Sequence, residues 1–224
     1  MSEETPVTAA EPSSARLALT LAFAGLVSGL ALVGVYELTM PRIRANQAEA
    51  LRKAVFEVVP GADSMRKLVR EGEALVPSED ERPGVYAAYR GGAFTGFAVP
   101  AEGPGFQDTI RLLFGLSPDG TKVIGMRVLE SRETPGLGDK IFKDLKFVAQ
   151  FDDLAVDPEV QVVKPGSGTE TGLPHQIDAI TGATISSKAV ARIINDANTA
   201  WRPRLPAPDA VPPPAAPQAR AEGK

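Results

Sequence analysis

The sequence predicts an α+β chain: a single transmembrane helix near the N-terminus, then a domain with a mainly antiparallel sheet and flanking helices. Three observations carry that prediction. Leu17 to Tyr36, "LALTLAFAGLVSGLALVGVY", holds no charged residue, and about 20 helical residues reach about 30 Å, the thickness of a bilayer core. Four short apolar runs, "VYAAYR", "AFTGFAV", "TIRLLFGL" and "KVIGMRVLE", are separated by the turn signals "RGG", "AEGPG" and "SPDG", the pattern of an antiparallel meander. Segments with helical spacing lie on either side of these runs.

Residues 1–15, "MSEETPVTAAEPSSA", are polar and contain proline, which predicts a disordered tail. The anchor is placed at 16–37. A cleavable signal peptide fits less well, because Glu3, Glu4 and Glu11 precede the span and "YELTMP" offers no A-x-A site. Gly25 and Gly29 form a small-xxx-small face suited to another helix, although glycine is common in membrane helices generally. Arg42 and Arg44 follow the span while only Arg16 precedes it, a weak positive-inside signal that puts the C-terminal side in the cytoplasm.

The folded domain is expected over 41–202. Ala48, Leu51, Val55, Val58 and Val59 recur at helical spacing until Pro60-Gly61 stops them. After the four strand-like runs, "DKIFKDLKFVAQF" reads as helix, and "EVQVVK" and "HQIDAI" read as strands around a Gly-rich loop. The last helix, "SSKAVARIINDANTAW", puts Val190, Ile193, Ile194, Ala197 and Trp201 on one face. From Pro203 to the end, residues 203–224 are Pro/Ala-rich and predict an extended, disordered tail.

Composition narrows the chemistry. The 224 residues carry a net charge of -4, no cysteine and one histidine, His175. That balance gives no broad basic surface for nucleic acid. It also excludes disulfides, thiolate metal sites, Cys-ligated clusters, cysteine nucleophiles and multi-histidine metal centres within this chain. Any redox chemistry would need a small organic cofactor.

Two stretches can carry chemistry. "DAITGATISSKAV", Asp178 to Val190, places four hydroxyls, on Thr181, Thr184, Ser186 and Ser187, where a strand gives way to a helix. Free amides at a helix start suit a phosphate, and Gly182 permits close backbone approach. Ordinary N-capping by these hydroxyls is the competing reading, and taken locally the stronger one. No G-x-x-x-x-G-K-[ST] is present, so this is not a Walker-type site. The second stretch, "SRETPGLGDK", has a Pro135-Gly136 turn signal and further freedom at Gly138. It can present backbone groups to a flat polar ring with Leu137 against its face, or be a plain surface turn.

Together, Asp178-x-x-Thr181-Gly182-Ala183-Thr184 and "ETPGLG" resemble the FMN-binding domain of the G subunit of Rnf electron-transport complexes, shared with the C subunit of the sodium-pumping NADH:quinone reductase. "ALRKAVFEVVPGA", "GPGF" and "IDAITGATISSKAV" extend the resemblance over nearly the whole chain between its two tails. It implies an α+β FMN-binding domain with a curved, mainly antiparallel sheet. It also implies FMN joined to Thr184 by a phosphoester. A flavin transferase would install it from FAD with Mg²⁺, recognising Asp178 and Thr181, Gly182, Ala183 and Thr184. The implied cofactor contacts are Thr181, Gly182, Ala183, Thr184, Ile185 and Ser186, with Glu133, Thr134, Leu137 and Gly138 at the ring and Lys140 beside them. Glu133 is equally readable as a structural partner for a backbone amide.

The family places this domain outside the cytoplasmic membrane, which overrides the weak charge signal and predicts a single-pass inner-membrane protein with a periplasmic C-terminal domain. Its partners would be the other subunits of the complex, the membrane and the transferase. The expected role is an electron relay without turnover of its own, within a complex coupling NADH/ferredoxin electron transfer to ion movement. The alternatives are the equivalent subunit of the quinone reductase, and a non-redox membrane-anchored binding or scaffolding module.

Overall fold

A computed structural model describes residues 13–80, 82–164 and 172–214. The expected disorder of residues 1–12 and 215–224, and the centre of the Gly-rich loop at 165–171, lie outside the described residues. The chain divides into two units, residues 1–49 and 50–224.

The anchor and the helix after it form one element, α1 (Ser14–Val58), with Pro41 inside it. Proline removes one i→i−4 hydrogen bond. The segment beyond it, "RIRANQAEALRKAVFEV", is rich in strong helix formers and carries the helix on. The apolar stretch is long enough to cross a membrane and none of it is buried. The second unit takes in α1 only from Ala50, nine residues later than the boundary expected at 41, and there Ala54, Val55 and Val58 are buried.

A seven-stranded sheet organises the second unit, built from β1 (Ser64–Glu71), β2 (Ala74–Pro77), β3 (Gly84–Arg90), β4 (Ala93–Pro104), β5 (Thr109–Leu116), β6 (Lys122–Glu130) and β7 (Asp152–Ala155). Their order is β2-β1-β3-β4-β5-β6-β7 and every pairing is antiparallel. The four predicted runs are β3 to β6. The charged strand β1 and the short strands β2 and β7 carry too little apolar alternation to be read. Between β6 and β7 the segment expected as one helix breaks into α2 (Lys140–Lys143), α3 (Leu145–Val148) and a 3₁₀ turn (Ala149–Phe151), because Asp144 stands extended and caps α3 through its side chain. A parallel pair, β8 (Gln161–Val163) and β9 (Gln176–Asp178), then leads into α4 (Thr184–Trp201).

Both faces of the sheet are covered, and the strands record it. Val85, Ala87 and Tyr89 of β3, Phe97 and Val99 of β4, and Leu112, Phe114 and Leu116 of β5 pack with α4. The residues between them, Ala88, Ala98 and Leu113, pack with Ala54, Val55 and Val58 of α1. Double burial explains why "LLFGL" reads as a continuous apolar run rather than an alternating one. Arg111, near the uncovered end of β5, pairs with Glu102 at 2.9 Å and Glu130 at 3.1 Å.

The C-terminal segment departs from the expected disorder as far as it is described. Arg202–Arg204 form a 3₁₀ turn, and Leu205 and Val211 pack on the core. Proline-rich chain forms no ladder, but it has little conformational freedom to lose and its carbonyls remain free acceptors. Tyr89 Oη donates to the Pro212 carbonyl and Arg66 Nη1 to that of Pro213 at 2.5 Å. Burial holds the Tyr89 phenol above its ordinary pKa, so it remains a donor. Tyr89→Phe is expected to lower unfolding stability by about 1 kcal/mol, the net worth of one such bond, read as a lower urea midpoint at unchanged slope.

Candidate functional site

The hydroxyl-rich stretch folds as a tight turn feeding a helix. The Ala183 N–H donates to the Ile180 carbonyl at 2.9 Å, and Gly182, third in that turn, has φ +83°, a conformation that favours glycine. Ser187 Oγ accepts the Ile180 N–H at 3.1 Å and donates to the Ala183 carbonyl at 3.0 Å. Ser187 therefore fastens the turn from below. Ser186 Oγ bonds to Glu133 Oε2.

No hydroxyl caps α4. Its N-cap is Ala183, which makes no side-chain cap bond. The first amides of a helix have no intrahelical acceptor, and among the described residues no partner is recorded for the N–H groups of Thr184, Ile185 or Ser186, nor for the Thr184 hydroxyl. The capping expected of Ser186 or Ser187 is thus absent, because both hydroxyls are committed elsewhere.

The "ETPGLG" loop closes on itself, with Leu137 N and Asp139 N donating to the Thr134 carbonyl at 3.2 and 3.3 Å. Its special backbone position is Gly136, at φ +77°. Gly138 serves space rather than the conformational freedom expected of it. A Cβ there would lie 2.7 Å from Glu133 Oε2 and 3.0 Å from Ser186 Oγ. Asp139 is almost wholly buried; a hydrogen bond from Lys143 at 2.6 Å is the main cause holding its carboxyl below the ordinary range.

The two stretches meet. Thr134, Leu137 and Gly138 face Gly182, Ala183, Thr184, Ile185 and Ser186 across a cleft of about 380 Å³, with Phe106 as a third wall. That volume lies in the range of small-molecule sites. Phe106, Leu137 and Ile185 are 62%, 48% and 57% exposed, so three large apolar side chains stand open around a row of free helix amides. A flat apolar ring with an anionic tail fits that combination.

Three expected contacts, Glu133, Thr181 and Lys140, do not line this cleft, and Asp178, expected only as part of the recognition signal, lies with the last two. Glu133 does not line the cleft; it is 5% exposed, and its Oε1 accepts the N–H groups of Phe106 and Gln107, both at 2.9 Å. These are the bonds of a structural partner for backbone amides. Thr181 and Asp178 open instead on a second cleft of about 500 Å³, shared with Lys140, Asp144, Lys146 and Gln150. Gln150 fixes the strand there, accepting the Asp178 N–H at 2.6 Å and donating to its carbonyl at 3.3 Å. The Thr181–Thr184 segment thus presents one end to each cleft. Phe106 is a wall that sequence reasoning misses; its signal is "GPGF", where Gly105 leaves room for Glu133 Oε1, 2.4 Å from any Cβ.

Comparison with known proteins places the chain in a family. Residues 105–199 match the FMN-binding domain family and residues 5–58 match the RnfG N-terminal region. The G subunit of the proton-translocating ferredoxin:NAD(+) oxidoreductase complex of Clostridium ljungdahlii is 34% identical over 171 residues, 76% of this chain and 82% of that protein. The G subunit of the ion-translocating oxidoreductase complex of Haemophilus influenzae is 31% identical over 186 residues, 79% and 84% of the two chains. Among solved structures, the C subunit of the Na(+)-translocating NADH-quinone reductase of Parabacteroides distasonis shares the fold, with a TM-score of 0.57 at 19% identity over 72% of this chain and 95% of that one. The cleft lies within the segment that matches the FMN-binding domain, and the helix that enters the second unit lies within the segment that matches the N-terminal region: this chain belongs to the family of G subunits of the Rnf ion-translocating oxidoreductase complexes.

Proposed function

We propose that the chain is a membrane-anchored electron-transfer subunit that carries FMN as a phosphoester on Thr184. FMN supplies the uptake and release of electrons, a chemistry no side chain here can provide. The observation that carries the reading is the state of the α4 start: a half-buried threonine hydroxyl and three amides, without partners among the described residues, at the mouth of an apolar cleft. A scaffolding module would be expected to spend those hydroxyls on capping. Here Thr184 would hold the phosphate covalently and the amides of Ile185 and Ser186 would neutralise its remaining charge. Thr134, Leu137, Gly138 and Phe106 would seat the ring. Asp178 and Thr181, on the other cleft, would be read by the flavin transferase, away from the wall that receives the ring.

The partners on this reading are the remaining subunits of an Rnf-type complex, as for the relatives. The apolar part of α1 would anchor the chain in the inner membrane, with the second unit in the periplasm. A covalent tether favours that side, because a dissociating cofactor would be lost there. The function is tested by producing the full chain with a flavin transferase, denaturing it and looking for flavin fluorescence on a gel. A fluorescent band is expected; a dark one overturns covalent attachment. A reporter fused after Trp201 that is active only in the cytoplasm would overturn the orientation.

A further inference from the structure

Glu133 is a buried charged side chain whose two carboxylate oxygens reach two other walls of the cleft. Oε1 takes two backbone N–H groups from the β4–β5 turn, at Phe106 and Gln107. Oε2 meets Ser186 in the first turn of α4. The residue itself begins the "ETPGLG" loop, where Thr134 Oγ1 donates to Gln107 Oε1 at 3.0 Å. The chamber around the carboxylate has no slack. A Cβ on Gly105 would stand 2.4 Å from Oε1, and one on Gly138 2.7 Å from Oε2. Space rather than backbone conformation therefore calls for glycine at both positions, Glu133 taking it at Gly138 and Glu133 with the Asp108 carbonyl, 2.7 Å from that Cβ, at Gly105.

We propose that Glu133 is a positioning residue that sets the separation of the three cleft walls, and through it the seat of the flavin ring. The carboxylate accepts hydrogen bonds only, and its carbon chain fixes how far the Phe106 turn and the α4 start stand from the loop. The proposal rests on the cleft being the flavin seat, but the fastening itself does not depend on any cofactor. Length is the property that matters. Glu133→Gln keeps it: one oxygen can still accept both amides, while the amide NH₂ donates to Ser186 Oγ. Glu133→Asp keeps the carboxylate but withdraws it by about one bond length, roughly 1.5 Å, and cannot reach both walls. A role exercised through charge would rank these variants in the opposite order.

The test compares the full-length parent, Glu133→Gln, Glu133→Asp and Glu133→Ala. Hydrogen exchange in the second unit is followed by mass spectrometry, and the visible circular dichroism of the flavin after transferase treatment. The Asp and Ala variants should exchange about tenfold faster in peptides covering 105–108 and 187–190, the first hydrogen-bonded amides of α4, as loss of buried hydrogen bonds implies, with the sheet strands unchanged. Their flavin dichroism should shift, and the Gln variant should follow the parent in both measurements. Parental exchange in the Asp and Ala variants overturns the proposal, as does a Gln variant that behaves like Asp. Faster exchange spread evenly over the sheet also overturns it, since that reports stability alone. A parent that acquires no flavin refutes the cofactor reading, and exchange at 105–108 and 187–190 then still decides the role of Glu133.

Discussion

Thr184→Val, produced with a flavin transferase, is expected to carry no covalent flavin, whereas Thr184→Ser retains it. The reaction needs an oxygen nucleophile: the Thr184 Oγ1–P bond forms, the pyrophosphate bond of FAD breaks, AMP leaves and the hydroxyl proton is given up. Valine has the shape of threonine and no oxygen, so the loss should be complete rather than graded. Stability should hardly change, because the Thr184 hydroxyl has no hydrogen-bond partner among the described residues and only part of the side chain is buried. A normal urea midpoint beside a dark band on the denaturing gel is the expected pair of results. Equal fluorescence in the valine variant would move the attachment elsewhere, and Thr181 would not be the first candidate, since it opens on the other cleft. The helix start explains why this hydroxyl suits the role. Its neighbours Ser186 and Ser187 are bonded to Glu133 and Ala183, leaving Thr184 as the free one at the mouth.

That division of labour among four hydroxyls is not legible in the sequence. Local rules assign Ser and Thr before a helix to capping, and they cannot see that Glu133, fifty-three positions away from Ser186, has claimed one of them. The pairing of "ETPGLG" with "TGAT" is legible as a resemblance, and the structure supplies the reason: each stretch makes one wall of the same cleft. The strands β3 to β6 are readable because their turns are punctuated by glycine and proline and their runs are apolar. β1 escapes such reading because "SMRKLVRE" buries only Leu68 and Val69, so its membership in the sheet depends on the hairpin with β2 and the register with β3. The C-terminal proline-rich segment is ordered over 203–214, against expectation, because disorder rules weigh composition. Two apolar side chains and two donors on the sheet suffice to hold it.

Gly115→Ala is expected to destabilise the second unit by about 3 kcal/mol or more, the upper end of the cost of forcing extra atoms into a packed core. Gly115 and Gly125 are cross-strand partners on β5 and β6, and the backbone of Val58, at the end of α1, lies against both. A Cβ at Gly115 would be 2.0 Å from the Val58 carbonyl oxygen and 2.8 Å from its carbon; at Gly125 the closest approach is 2.8 Å. The obstacle is backbone, which no rotamer change can move aside. Either the end of α1 lifts from the sheet or β5 bends, and both uncover Ala54, Val55 and Leu113. Gly125→Ala should therefore cost less than Gly115→Ala, an order that chemical unfolding of the two full-length variants can check. Equal midpoints for parent and Gly115→Ala would mean that this helix end is not tightly docked. The contrast with Thr184→Val is informative, because α1 and α4 pack on opposite faces of the sheet. Strain introduced under α1 should lower stability while leaving the Thr184 hydroxyl and its free amides able to accept flavin in whatever fraction remains folded. Loss of stability with retained flavin in one variant, and loss of flavin with retained stability in the other, would separate the face that docks the helix from the face that holds the cofactor.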